Sequence, residues 1–151
     1  MKSNEFIYTT YIRSTPQKVW DAITNPEFTR QYWVNDNISD WKKGSDWKHV
    51  SKDGQVRVIG KVMESIPPKL LVLTWADPAN TSDGSQVTFE IEAIKDMVRL
   101  NVMHGSFKAD STMAGKVATG WPLVLSSLKS YLESGNALDI MAAKITDCSK
   151  A

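Results

Sequence analysis

The hydrophobic and polar positions of this chain alternate with a period of two through its middle and recur with a helical period near its end. Residues 6–12 carry apolar or β-branched side chains on both faces, which predicts an edge or half-buried strand. From residue 37 to 104, short β-rich runs between turn-forming residues predict an antiparallel meander. The predicted turns are Lys43-Gly44-Ser45, Lys52-Asp53-Gly54, Pro67-Pro68 and Thr81-Ser82-Asp83-Gly84, and the best predicted strands are 56–66, 70–76, 86–94 and 97–104.

The last two predicted strands each have one apolar and one polar face. Val87, Phe89 and Ile91 alternate with polar residues. Val98, Leu100, Val102 and His104 alternate with Arg99, Asn101 and Met103. This pattern is typical of an antiparallel sheet that is covered on one side and exposed to water on the other.

Two short helices are predicted directly after the first strand. Thr15 is suited to cap a helix that starts at Pro16, because proline at the first helical position needs no amide donor. Asn25-Pro26 repeats the same arrangement, and it predicts a second helix that carries Phe28, Tyr32 and Trp33.

A longer helix is predicted near the C-terminus, with Asp110 as its cap and Gly135 at its end. Pro122 lies inside it and predicts either a kink near residues 118–122 or two abutting helical pieces. We expect one domain over residues 1–135, followed by a tail over 136–151 that forms a short helix or frays. The apolar face of the long helix consists of Met113, Val117, Trp121, Leu125 and Leu128, with Val124 and Leu132 beside them.

A long helix that crosses a curved sheet covers its concave face without filling it, because a twisted sheet and a straight cylinder touch mainly along one line. We therefore expect a ligand cavity between them, and Trp33 and Trp41 could close one mouth of it. Trp20 and Trp75 favour a structural role, and Trp47 is expected to be a strand residue without a special task. The candidate ligand-binding residues are Trp33, Trp41, Trp75, Phe89, Val102, His104, Met113, Trp121 and Leu125.

Composition narrows the class of protein further. The 151 residues carry a net charge of +1, which gives no reason to expect nucleic acid as a partner. The N-terminus lacks an apolar leader and no run of eighteen apolar residues occurs, so we expect a cytoplasmic protein without membrane insertion. Cys148 is the only cysteine in the sequence, which excludes an internal disulfide.

The sequence holds few groups for chemistry. His104 could orient a polar ligand group or act as a general acid or base, or it could simply be hydrogen-bonded in the core. His49 is flanked by lysine in a turn-bounded strand, and we expect it to be exposed. Because the two histidines are far apart and Cys148 lies in the tail, no metal site is predicted, and scattered glycines suggest no phosphate loop and no cofactor.

These features together resemble the START-like (SRPBCC, Bet v 1 type) superfamily, and within it the bacterial branch similar to the C-terminal domain of the activator of heat-shock-protein-90 ATPase. The resemblance covers about residues 5–134 and implies an α+β helix-grip fold: a curved antiparallel sheet around a long C-terminal helix, with two short helices after the first strand. It rests on the order of Pro16…Val19-Trp20-Asp21-Ala22, Asn25-Pro26-Glu27, Gly60…Pro67-Pro68-Lys69-Leu70…Thr74-Trp75, Val87-Thr88-Phe89 and Gly120-Trp121-Pro122-Leu123-Val124-Leu125…Leu128…Leu132.

Three functional hypotheses follow from the residues and the resemblance. The first is non-enzymatic binding of a small hydrophobic or aromatic molecule. The second is a protein-interaction or stress-related role like that of the ATPase activator, and the third is a polyketide-cyclase-like enzyme that uses His104. Self-association into a homodimer, through an edge strand or the tail, stays open.

Overall fold

The computed structural model describes residues 5–143, which form one curved sheet with three helices. Cys148 and the end of the predicted tail lie outside the described residues. The sheet and helices follow the order expected of a helix-grip fold, which confirms the predicted fold class. The strands are β1 (Phe6–Ile12), β2 (Asp36–Ile38), β3 (Asp46–Val50), β4 (Val56–Ile66), β5 (Leu70–Asp77), β6 (Asn80–Ile94) and β7 (Met97–Gly105), and the helices are α1 (Pro16–Thr24), α2 (Pro26–Tyr32) and α3 (Met113–Ser134).

The sheet is antiparallel in every pair, with strand order β1-β7-β6-β5-β4-β3-β2. Strands β2 to β7 therefore form the predicted meander, and β1 is an edge strand beside β7. One predicted turn is wrong: the chain reverses at Pro78 and Ala79 instead of residues 81–84, which belong to β6. The earlier reversal is stabilised by the Asp77 carboxylate, which accepts a hydrogen bond from Ala79 N at 2.8 Å.

The two short helices begin as the sequence predicts. Thr15 Oγ1 accepts a hydrogen bond from Lys18 N at 3.3 Å, and Asn25 Oδ1 accepts one from Glu27 N at 2.9 Å. Each cap satisfies a backbone donor that the first helical turn leaves without a partner. The two caps fix where α1 and α2 start and thereby place the loop after α2 at the end of the sheet.

Helix α3 starts later than predicted and is not broken. Its N-cap is Thr112 rather than Asp110, and the Thr112 side chain makes no capping hydrogen bond. Instead, Ser111 Oγ accepts from Met113 N at 3.0 Å, and Asp83 Oδ2 of β6 accepts from Thr112 N at 3.2 Å. The helix is continuous from Met113 to Ser134, so Pro122 does not divide it into two pieces. It ends at Gly135, which has a φ of +82°, as predicted.

The core lies between the concave face of the sheet and the buried side of α3. Alternate residues of the strands point inward, including Leu71 and Leu73 of β5 and Val87 and Phe89 of β6. Past α3, residues 140–143 are helical and Ile140 is fully buried, so this part of the predicted tail packs on the domain.

The ladder between β4 and β5 opens at Gly60. There the Trp47 indole donates a hydrogen bond to Thr74 C=O at 2.7 Å. Lys61 N donates to Thr74 Oγ1, also at 2.7 Å. A Cβ on Gly60 would lie 1.9 Å from Thr74 O, so only glycine fits. Trp47 is a strand residue of β3, as expected, and its indole also occupies a carbonyl that the ladder leaves without a backbone partner.

Candidate functional site

A cavity of about 910 Å³ lies between α3 and the β3–β4 end of the sheet. The loop after α2, the ends of β3 and β5, the turn before β4, one side of α3 and Met141 line it. Exposed side chains such as Lys52 and Lys116 stand among the lining residues, so the cavity opens to solvent. Its volume lies in the range of small-molecule binding sites.

Three indoles form the inner wall of this cavity. Trp121 of α3 packs against Trp33 with ring centroids 5.4 Å apart and against Trp75 with centroids 5.5 Å apart. All three side chains are buried, and each offers a flat apolar surface to a ligand. Gly120 lies beside Trp121 on α3, and a Cβ added there would meet nothing within 4 Å. The helix therefore leaves open space at this position.

The loop that follows Trp33 holds a strained backbone. Val34 has a φ of +77°, a left-handed conformation that a β-branched residue adopts only at a cost. Val34 and its neighbour Asn35 both line the cavity. Strain of this kind concentrates at functional sites, because the surrounding structure has to hold it in place.

His49 is buried, and the expectation that it is exposed is wrong. It is only 5% exposed because strand alternation places it on the same inner face as Trp47, while the lysine between them points outward. Its Nδ1 lies 2.6 Å from Asn37 Oδ1, which accepts because the Asn37 amide nitrogen donates to Ile23 C=O. Asn35 Nδ2 lies 3.1 Å from His49 Nε2 and joins the loop to the strand.

His104 is fully buried in a hydrogen-bonded chain behind the indole wall. Trp121 Nε1 donates to His104 Nδ1 at 3.0 Å, so the ring proton lies on Nε2, which donates to Ser85 Oγ at 2.7 Å. Ser85 Oγ donates in turn to Trp75 C=O at 3.2 Å. Burial lowers the pKa of His104 from 6.5 to about 4, which keeps the ring neutral.

The surroundings of His104 argue against the third hypothesis, an enzyme that uses this histidine as an acid or base. An acid–base role needs the ring to face open cavity volume, but His104 is not among the lining residues and both its nitrogens have partners. Phe107 stacks on one side of it, with ring centroids 4.9 Å apart. The structure therefore agrees with the alternative stated from the sequence, in which His104 is a hydrogen-bonded histidine of the core.

Charged groups surround the mouth of the cavity. Lys52 and Arg57 extend from the β3–β4 region and Lys116 from α3, and none of the three forms an ion pair within residues 5–143. The two carboxylates at the mouth are bound in their own turns. Asp53 accepts from Ser51 Oγ and Gln55 N, and Asp77 accepts from Ala79 N.

Four of the nine predicted ligand-binding residues line this cavity: Trp33, Trp75, Met113 and Trp121. The other five do not. Phe89 packs edge-on against Trp121, with ring centroids 5.7 Å apart, and Trp41 is half-buried and packs on Trp47 at 6.4 Å. The remaining three, Val102, His104 and Leu125, are buried in the core.

The lining also includes residues that were not predicted. The alternation of Trp47 and His49 along β3 was a usable signal for His49, since it predicts that both point inward. No sequence signal marks Val34, because its backbone conformation depends on how α2 joins β2. The rim cations lie in ordinary polar segments, and only the fold brings Arg57 and Lys116 to one opening.

A second depression, of about 700 Å³, lies where the ladder between β4 and β5 opens. Its rim includes Asp46 and Lys61, which form an ion pair at 2.5 Å, so these two charges satisfy each other. Of the predicted ligand-binding residues, only Trp75 reaches it. The larger cavity is therefore the better candidate site.

Two further properties of residues 5–143 concern metal ligands and membrane-spanning helices. Within that range, no three histidine, cysteine or acidic side chains lie close enough together to hold a metal ion. None of the helices in the same range combines the length and apolar character needed to cross a bilayer.

Solved structures with the same fold come from distant organisms. The Aha1 dimer from Colwellia psychrerythraea is 24% identical, with a TM-score of 0.72 over 87% of this chain and 97% of that one. The protein MLL2253 from Mesorhizobium loti is 26% identical, with a TM-score of 0.72 over 85% and 96%. PFC0360w, an Hsp90 activator from Plasmodium falciparum, is 21% identical, with a TM-score of 0.71 over 85% and 95%.

The family is shown by a match over most of the chain. No curated protein sequence matches significantly. The family model described as "Activator of Hsp90 ATPase homolog 1-like protein", in contrast, matches residues 13–133, which run from the end of β1 nearly to the end of α3. The resemblance stated from the sequence is thereby confirmed, and the chain belongs to the family of activator of Hsp90 ATPase homolog 1-like proteins.

Proposed function

We propose that this protein binds a small, largely apolar molecule with an aromatic ring in the cavity between α3 and the sheet. The observation that carries the proposal is the wall of Trp33, Trp75 and Trp121 around an open volume of about 910 Å³. Flat indole surfaces favour flat ligands, because stacked or edge-on ring contacts add to the free energy of apolar burial.

Two features support a binding role over a purely structural one. Gly120 leaves space where an alanine would improve the helix by about 1 kcal/mol. Val34 is held in a conformation that costs about 1–3 kcal/mol at the edge of the same cavity. Both positions give up stability at the cavity, as expected where a site is kept open for a ligand.

A pair of leucine variants tests this proposal. Gly120→Leu places a large side chain in the cavity, and Gly115→Leu places the same side chain on an exposed part of α3, where an added Cβ also meets nothing within 4 Å. Both substitutions replace glycine by a good helix former, so both should leave the fold stable.

The readout is intrinsic tryptophan fluorescence, titrated with a panel of aromatic and aliphatic ligands. We expect at least one compound to change the emission of the wild type and of Gly115→Leu, and Gly120→Leu to lose that response. The proposal is contradicted if no compound changes the emission of the wild type, or if Gly120→Leu responds to the same compounds as the wild type does.

A second candidate function is interaction with a chaperone ATPase, which family membership over residues 13–133 favours. The test is the ATP hydrolysis rate of the Hsp90 from the same organism, measured with and without this protein. An accelerated rate supports the role, and an unchanged rate at saturating protein removes it. Cavity binding and chaperone interaction are independent, so Gly120→Leu should leave any such acceleration unchanged.

Self-association is a separate prediction. The Colwellia psychrerythraea relative is described as a dimer. We propose that this chain also forms a homodimer, and sedimentation velocity of the full chain tests this; a monomer at all concentrations would contradict it.

A further inference from the structure

Three of the polar groups that line the cavity are cations that form no ion pair within residues 5–143. At the mouth, Lys52 and Arg57 stand on the sheet side and Lys116 stands on α3, so positive charge faces the opening from both sides. None of the three forms an ion pair within the part of the chain that the structure describes.

The carboxylates at the mouth do not offset these cations fully. Asp53 accepts hydrogen bonds from Ser51 and from Gln55 N within its own turn, which lowers its pKa, and Arg57 contributes to that shift to a smaller extent. Asp77 accepts from Ala79 N at 2.8 Å. The lining therefore presents three cations against two carboxylates, which leaves one positive charge in excess.

The inner wall also has a donor in excess. Trp75 is 7% exposed, and its Nε1 has no hydrogen-bond partner among residues 5–143, although the residue lines both this cavity and the second depression. The indole N–H can only donate, so a ligand that satisfies it has to bring an acceptor. Buried donors without a partner are uncommon in folded proteins, because each costs desolvation free energy.

We infer that the ligand is an amphipathic anion: a flat aromatic or apolar body that carries a carboxylate or sulfonate group. The body lies against the indole wall, and the anionic group lies at the mouth, near Arg57 and Lys116. This inference rests on the proposed function, since it names the ligand class of the same cavity.

Two dyes with the same ring system, one charged and one neutral, distinguish the contribution of the anionic group to binding from that of the aromatic body. 8-Anilinonaphthalene-1-sulfonate carries a sulfonate, and N-phenyl-1-naphthylamine is its uncharged counterpart. Both fluoresce in apolar surroundings, so both can be titrated into the wild type, Arg57→Gln, Lys116→Gln and Gly120→Leu. The matched control is Lys18→Gln, which removes an exposed cation from α1, a helix that contributes no residue to the cavity lining. Thermal unfolding of each variant confirms that dye fluorescence reports the folded protein.

We expect Arg57→Gln and Lys116→Gln each to weaken binding of the sulfonate dye about two- to five-fold, which is the range of a solvent-exposed charge pair. Binding of the neutral dye should stay the same, and Lys18→Gln should change neither. Raising the salt from about 20 to about 500 mM should weaken the sulfonate dye selectively, because salt screens exposed charges.

The outcomes keep the two proposals apart. Equal effects of the charge variants on both dyes, or no effect on either, overturn the inference, while block of the neutral dye by Gly120→Leu still supports cavity binding. If neither dye binds the wild type, or Gly120→Leu blocks neither, the proposed function and the inference both fail.

Discussion

The indole of Trp121 donates a hydrogen bond to His104 Nδ1 at 3.0 Å, and this contact joins α3 to β7 through the centre of the protein. Because Nδ1 accepts, the ring stays neutral with its proton on Nε2, where Ser85 Oγ lies at 2.7 Å. A protonated ring would lose the Trp121 bond and would bury a charge. The contact therefore makes the stability of the protein depend on the protonation of one histidine.

The first prediction concerns pH. Burial lowers the pKa of His104 from 6.5 to about 4. Between these values the unfolded chain binds a proton that the folded protein does not, so the stabilisation is full above pH 6.5 and is lost as the pH falls towards 4. The free energy of unfolding should fall by about 3 kcal/mol over that interval.

Urea denaturation at several pH values measures this slope, and His104→Asn provides the control. The asparagine oxygen can still accept from Trp121, but the side chain does not titrate. The variant should be less stable at pH 7 and show a flatter dependence between pH 6.5 and 4. A slope as steep as that of the wild type would show that carboxylates, and not His104, cause the loss.

The second prediction concerns Gly60. In Gly60→Ala the new Cβ would lie 1.9 Å from Thr74 O and 2.5 Å from Trp47 Nε1, and the first of these atoms belongs to the backbone. We expect a loss of at least about 2 kcal/mol in the free energy of unfolding, since the strands have to separate further. Gly84→Ala is the matched control in β6, which β5 separates from β4, because its nearest atom lies at 3.8 Å. Equal effects of the two substitutions would contradict the role given to Gly60.

The elements of this fold were predictable because they depend on local patterns. Period-two alternation locates β6 and β7, and a cap followed by proline locates α1 and α2. The start of α3 was only partly predictable in this way, because one of its acceptors, Ser111, is local but the other, Asp83, lies 29 positions earlier in the chain. A contact of that kind depends on strand register, which no local pattern contains.

The candidate site was only partly predictable, for the same reason. Trp33, Trp75 and Trp121 were recognisable from the sequence as large apolar side chains in or beside predicted strands and helices, and all three line the cavity. The role of Trp47 depends on the opening between β4 and β5, and the partners of His49 depend on the pairing of β2 with β3. Backbone strain at Val34 arises only when the loop is closed between two fixed elements.

The third prediction uses that strain. Alanine is normally about 0.5–1 kcal/mol more stable than glycine inside regular structure, and Gly115→Ala in α3 should show this order. At Val34 the order should reverse, because glycine adopts a φ of +77° without steric cost and alanine does not. We expect Val34→Gly to be more stable than Val34→Ala by about 1 kcal/mol in urea denaturation. Greater stability of the alanine variant would show that the loop relaxes without strain.

The fourth prediction concerns the free edge of β1. Lys129 of α3 donates to Tyr11 C=O, and Glu133 Oε2 accepts from Arg13 N at 2.8 Å. These two side chains occupy one carbonyl of β1 and one amide just past its end, and a second chain would otherwise be free to pair with such groups. Their arrangement favours a protein whose β1 edge is protected from pairing.

We therefore expect the double variant Lys129→Ala with Glu133→Ala to self-associate more strongly than the wild type, with a higher sedimentation coefficient at the same concentration. The matched control is Lys43→Ala with Glu64→Ala, which removes an ion pair of 3.2 Å and the same charges from the turn before β3 and from β4, both remote from β1 in the sheet order. If both double variants sediment like the wild type, the edge of β1 does not govern association. If the wild type is already a dimer and the first variant dissociates it, α3 contributes to the interface instead of protecting the edge.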